Sequence, residues 1–464
     1  MLNKKSIASI TITALVLAVF LPIIFTGYAA SRRAESQFTA KEYSAAAQSF
    51  KQAAKFLPWR NDLWEKAGIA AANAGNIKSA MEFFGHTQTL SAEGWMWLGY
   101  AYYKDGDFPS AIDALEKSLQ LDPLPSAYNL LALLYRQQKN WAAERAILAD
   151  QLQQNMGDAY TQYRLGLLLT VLEPDQALPV LMLASSTYPQ FDPAVQTLRA
   201  ALNLSATQPD TSQKMLTIGR ALGLVQEWDL SILAFENAAK FNAENAEAWA
   251  WLGEAKQQIG QDGRAELDQA LALDKTSVVV RALRGLYWHR QNKYSQMLAE
   301  YILAAQYEPA NPVWQAEIGN AYTLLGDLAA ALTAYQKAIE LAPNESTYWR
   351  LLAFFCAENG VHVEDVGLPA AQKSVELAPD DPFALDTLGW SYYSTGRFAS
   401  AEKTLLDMTA RFPNHFSANI HLALTYLAQG NRAAAFNQLT YVRDADTGGS
   451  NGLFAEQLLI KYFP

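Results

Sequence analysis

The chain is poor in most of what chemistry at a protein site requires. Cys356 is the only cysteine in 464 residues, which excludes an internal disulfide and a cysteine-based metal cluster. A single thiol at helical spacing reads as a small core residue. Only five histidines are present, and His86, His289, His362, His415 and His421 show no HExxH spacing. His415 and His421, six positions apart, are expected on different faces of one helix. His362 with Glu364 and Asp365 is the nearest approach to a metal or acid–base group, and reads as a solvated loop. A phosphate-cradling glycine loop and a GxSxG elbow are both missing, so no cofactor and no catalytic site are expected. Basic charge is scarce as well: 36 Lys and Arg against 46 Asp and Glu leave a net charge of −10. That balance disfavours nucleic acid, whose affinity comes largely from cations on phosphates. Strand-like alternation is absent, and every periodic stretch follows the helical period, so an all-α chain is expected.

Apolar material is abundant, with 50% hydrophobic and 12% aromatic residues. The longest uncharged run, Ile7–Thr26, follows Lys4 and Lys5. As a helix it rises about 30 Å, the thickness of a bilayer core. Residues 1–30 are therefore expected to be an N-terminal membrane anchor, with the rest of a single-pass protein extracytoplasmic. The alternative is a signal peptide cleaved near Ala30, giving a secreted chain. A first repeat helix is expected from about Gly27 to Thr39, with no Gly-, Ser- or Pro-rich tether before it.

The unit that recurs is clearest in Pro312–Pro343. Ile318, Gly319 and Tyr322 share one helical face, and Ala331, Tyr335, Ala338 and Leu341 share another after a turn at Gly326-Asp327. Gly319 and Ala338 are expected to let the two helices approach, and Pro343 ends the second. Such a hairpin needs neighbours to bury its apolar stripe. Copies follow in register. The stretch from Ala92 carries Trp95, Leu98-Gly99, Tyr102, Gly106-Asp107, Ala111, Leu115 and Pro123. The stretch from Pro382 carries Leu388-Gly389, Tyr392, Gly396, Ala401 and Pro413.

This pattern resembles the tetratricopeptide repeat family, with its Trp, Leu-Gly, Tyr, Gly, Ala, aromatic, Ala and Pro positions over 34 residues. The resemblance implies a right-handed superhelical solenoid of about twelve hairpins, read here as one elongated domain rather than three globular ones. An N-terminal array is expected over 31–192, a degenerate seam over 193–211, a C-terminal array over 212–449 and a capping helix over 450–464. The family also implies that first helices line an inner groove. Candidate groove residues are Met96, Tyr100, Tyr103, Asn129, Arg136, Tyr160 and Tyr163, then Arg350, Phe354, Asp386, Trp390 and Tyr393. Aromatics with a few arginines have the composition of binding hot spots. The expected role is a membrane-tethered, non-catalytic scaffold for protein or peptide ligands. Alternatives are a cell-envelope factor for secretion, pilus or polysaccharide machinery, and an enzyme with an unrecognised site. The oligomeric state is left open.

Overall fold

The computed structural model describes residues 18–464 except 19, 88 and 155–157, with the backbone of the first helix traced from Lys4. Among the described residues there are helices and turns and no strand. Two compact units form, Met1–Pro209 with Thr217–Leu230, and Asp210–Leu216 with Ser231–Pro464.

Unit 1 is built from successive hairpins. They are α1 (Lys4–Thr39) with α2 (Tyr43–Phe56), α3 (Asp62–Asn73) with α4 (Ile77–Phe84), and α5 (Ala92–Asp105) with α6 (Phe108–Leu121). Then come α7 (Pro125–Gln137) with α8 (Trp141–Gln154), α9 (Ala159–Leu172) with α10 (Pro174–Thr187), and the single helix α11 (Asp192–Ala206). The unit boundary runs through α12 (Thr211–Leu224) and α13 (Trp228–Phe241). Unit 2 continues with α14 (Ala246–Gln258) and α15 (Arg264–Leu273), α16 (Val278–Arg290) and α17 (Tyr294–Tyr307), and α18 (Pro312–Leu325) and α19 (Leu328–Leu341). It ends with α20 (Ser346–Asn359) and α21 (Leu368–Leu377), α22 (Pro382–Ser394) and α23 (Phe398–Arg411), α24 (Phe416–Ala428) and α25 (Arg432–Ala445), and α26 (Ser450–Tyr462).

One packing rule recurs within the hairpins. A glycine of the first helix lies under a large side chain sixteen positions on: 99 under 115, 319 under 335, 389 under 405. A Cβ added at Gly389 would come within 2.5 Å of Leu405 Cγ, so the helices could not close to this distance around any other residue. Gly319 thus meets the ring of Tyr335 rather than Ala338, the partner expected from the sequence. The turn between α18 and α19 needs glycine for a second reason. Gly326 caps α18 at φ 80°, in the left-handed region. Asp327 then starts α19 by accepting from the Ala330 amide at 3.0 Å.

The extra residues between α20 and α21 form a single π turn, Val363–Gly367. Gly367 seats against Cys356, which is fully buried. Burial pushes its thiol up to about 12, so Cys356 is an inert core residue.

The N-terminal expectation needs correcting. Part of the supposed anchor, residues 1–17 and 19, lies outside the residues whose side chains are described. Among the described residues, no helix is long and apolar enough to cross a membrane, so the single-pass, extracytoplasmic placement does not stand. The first repeat helix, expected from about Gly27 to Thr39 with no tether before it, is the C-terminal part of α1, which passes through Gly27 unbroken to Thr39. Ile24 packs on the core of the first hairpins, Gly27 lies against Leu57, and Ala30 and Ala34 are buried. That face is spent on protein contacts.

Candidate functional site

In unit 2 four helices set up the site. Asp381 caps α22 by accepting from the Phe383 amide at 3.0 Å, with Pro382 at the first helical position. The helix then presents Asp386, Trp390 and Tyr393 at four- and three-residue steps, on one face. α20 presents Arg350, Phe354 and Glu358 in the same manner, and α24 presents Ser417, His421 and Leu424. α26 adds Asn451 and Phe454. These stripes meet around a cavity of about 510 Å³, lined also by Phe383, Thr387 and Ile420. Of the sequence candidates, Arg350, Phe354, Asp386 and Trp390 line it. Tyr393 lies behind Trp390, its ring stacked on the indole at 4.6 Å.

Asp386 is buried at 7% exposure and has several donors around it. Its Oδ1 faces His421 Nδ1 at 2.7 Å, and its Oδ2 accepts from Ser417 Oγ at 2.7 Å and faces His415 Nε2 at 3.4 Å. Burial would raise its pKa, but the His421 charge and the hydrogen bonds from His415, His421 and Ser417 hold it well below the usual carboxylate range. Sequence reasoning missed both histidines. His415 is not inside a helix at all: it is the residue before α24. From there it reaches the same carboxylate as His421, which six-residue spacing on one helix would forbid. Ser417 Oγ donates to Asp386 and lies 3.2 Å from His415 Nε2, so hydroxyl, carboxylate and both imidazoles form one cluster. His362 and Asp365 pair at 3.0 Å on the exposed surface. No metal-holding group of His, Cys, Asp or Glu occurs among the described residues.

Unit 1 treats its candidates differently. Asp158 caps α9 by accepting from the Tyr160 and Thr161 amides at 3.0 and 3.2 Å. Tyr160 joins Asn129 and Arg136 on a second cavity of about 510 Å³, together with Arg164 and Leu133. Its polar groups are already engaged. Glu144, with no exposed side-chain surface, accepts from Arg136 Nε at 2.9 Å and from Arg164 Nε at 2.7 Å. Arg164 also approaches Glu227 at 3.5 Å. Asn129 Oδ1 accepts from Gln151 at 2.9 Å. Tyr163 lies flat on Phe191, centroids 4.3 Å apart. Burial and the Glu227 charge push its hydroxyl up to about 12. Tyr160 packs edge-on to the same Phe191 at 5.3 Å.

The remaining candidates do not reach that cavity. Met96 is a core residue at 9% exposure, packed with Ala111, Leu115, Ala127 and Leu131. It precedes Gly99 by three positions and so shares its inward face. Tyr103 is half-buried on the same cluster, and Tyr100 on the preceding one, edge-on to Trp97 at 5.5 Å. The single aromatic wall expected across Tyr100, Tyr103, Arg136, Tyr160 and Tyr163 is therefore divided.

Comparison with known proteins fits this architecture at the level of the repeat. A 43-residue stretch is 44% identical to a TPR repeat-containing protein of Pseudomonas aeruginosa, covering 9% of this chain and 7% of that protein's length. Among solved structures, yeast Tom70 is 13% identical with a TM-score of 0.44, over 94% of this chain and 95% of its own. The Cut9–Hcn1 hetero-tetramer of APC/C is 15% identical at a TM-score of 0.41, over 96% and 99%. YrrB, described as a TPR protein with an unusual peptide-binding site, is 20% identical at 0.30, over 41% and 97%. Scores at this level add nothing to the fold already described. Family models are more specific: those of the tetratricopeptide repeat match residues 92–124, 315–345 and 387–448. At these three places, on hairpins α5–α6, α18–α19 and α22–α25, the chain carries tetratricopeptide repeats.

Proposed function

We propose that this chain is a non-catalytic scaffold that holds a segment of a partner protein against the unit 2 cavity. The observation that carries the reading is a set of aromatic side chains left open where polar groups converge. Phe354, Phe383 and Phe454 are 42%, 57% and 47% exposed, yet all three line one cavity beside Arg350 and His421. Rings exposed singly need no explanation, whereas rings gathered at a concave site from helices of successive hairpins are the usual material of hot spots. Asp386, Ser417, His415 and His421 hold one another in a hydrogen-bonded cluster at the side of this cavity.

The test is a double substitution, Phe354→Ala with Phe454→Ala, scored for partner affinity and for thermal midpoint. Hot-spot truncation costs about 2 kcal/mol, or roughly 30-fold in affinity. Both rings stand in solvent, so the midpoint should hold. A lowered midpoint with intact binding would reassign them to the core and remove the cavity as the site.

A further inference from the structure

We propose that binding at the unit 2 cavity is coupled to protons: the His415–Asp386–His421 cluster takes up a proton when the partner sets an acidic side chain beside Arg350. This rests on the scaffold reading and names the partner's chemistry and its control.

One carboxylate serves two imidazoles here. Asp386 Oδ1 lies 2.7 Å from His421 Nδ1, and Oδ2 lies 3.4 Å from His415 Nε2. The three side chains are only 10–14% exposed, so water screens a charge among them weakly. Asp386 is held ionised by its neighbours, and its single negative charge offsets one imidazolium and not two. The cluster is therefore negative, neutral or positive as the histidines hold no, one or two extra protons. Histidine is the side chain whose ordinary charge change falls roughly between pH 5 and 8. Two that share a counter-ion titrate as a pair, so the uptake belongs to the cluster rather than to one ring. The cluster opens on the cavity through Asp386, Ser417 and His421, and His421 is fixed there by stacking on Trp390 at 4.3 Å.

The sign of the coupling comes from Arg350. The other charged groups lining the cavity are Arg350 and Glu358, both on α20, while α26 brings Asn451 and Phe454 and no charge. Eight positions of helix separate Arg350 from Glu358, a rise of about 12 Å. Among the described residues Arg350 makes no hydrogen bond or ion pair. Its guanidinium lies 5.6 Å from the Phe383 centroid, and that ring packs edge-on to His415 at 4.9 Å. A guanidinium left this way is a ready partner for a carboxylate. An anion seated there favours the protonated cluster, and by reciprocity protonation favours the anion. Acid should thus tighten an acidic segment and loosen a basic one.

The experiment pans the full-length chain against displayed random short peptides at pH 6 and at pH 8. Selection at pH 6 should enrich Asp or Glu next to an aromatic or aliphatic residue. Calorimetry then follows those peptides from pH 8 to pH 6, where their own carboxylates, ordinarily about 4.3 or below, stay ionised. Affinity should rise by up to about tenfold per pH unit, the gain from one proton taken up. Buffers of different ionisation enthalpy should count that proton directly. Gln or Asn in place of the peptide's acid should flatten the rise, a comparison that leaves the chain itself unaltered. His415→Gln with His421→Gln should flatten it too, whereas His86→Gln, in unit 1, should not. Affinity level from pH 8 to pH 6, with Phe354→Ala still abolishing it, would overturn this inference and leave the cavity as a partner site. A rise retained in the folded double histidine variant would do the same. Peptides indifferent to Phe354→Ala would overturn both readings.

Discussion

Arg136 in unit 1 and Arg350 in unit 2 both stand on the first helix of a hairpin, beside a cavity of about 510 Å³. Arg136 gives its Nε to a carboxylate with no exposed surface, Glu144. Arg350 has its guanidinium 5.6 Å from the Phe383 ring centroid, at the cavity mouth. The aromatics divide in the same way. Tyr163 is spent on Phe191, whereas Phe354 stays 42% exposed at its cavity. An arginine and an aromatic on first helices therefore serve stability in one unit and remain available in the other. What decides is whether the next helix supplies a partner. α8 and the residues before α11 supply Glu144 and Phe191; α22 and α24 direct their carboxylate and imidazoles at each other.

The largest effect that should follow is in unit 1. Glu144→Ala leaves Arg164, only 12% exposed, without its buried counter-charge, and such a loss costs roughly 3–5 kcal/mol. Urea unfolding should show the loss, while peptide affinity at the unit 2 cavity stays unchanged; a variant as stable as the native chain would break the comparison. Phe354→Ala should do the reverse, costing about 2 kcal/mol in partner binding and little in stability. Tyr163→Ala, which removes the stack on Phe191, should lower stability by at least about 1 kcal/mol. Tyr103→Ala, in the same melting series, should cost less. The smallest effect concerns acid. Because the folded-state pKa of Asp386 is depressed, its stabilisation is complete above the unfolded carboxylate value, about 3.9, and is lost as pH falls below it. Thermal midpoints of unit 2 should thus drop more steeply below about pH 4 in the native chain than in Asp386→Asn.

The hairpins were legible from the chain alone because their signals are local and repeat. Gly99 and Leu115, Gly319 and Tyr335, and Gly389 and Leu405 recur at one spacing, the spacing that a tight turn between two helices imposes. Turn glycines such as Gly326 mark the breaks. The lone cysteine as a core residue followed from the same period. The apolar run at the N-terminus misled because hydrophobicity does not state what it will meet. Ile24 and Gly27 pack on the first hairpins, whereas Phe20, Leu21, Ile23 and Phe25 of the same run are exposed.

Residue type and helical spacing by themselves determined an all-helical array and the rows of side chains that its first helices present. Only tertiary structure decided which of those rows are free. Asp386 and His421 are thirty-five positions apart and Arg164 and Glu144 twenty, pairs formed between helices of successive hairpins. A charged or aromatic side chain is a binding group only where packing leaves its valences unmet. That depends on what the neighbouring helix places opposite it, and a single chain of letters does not carry that information.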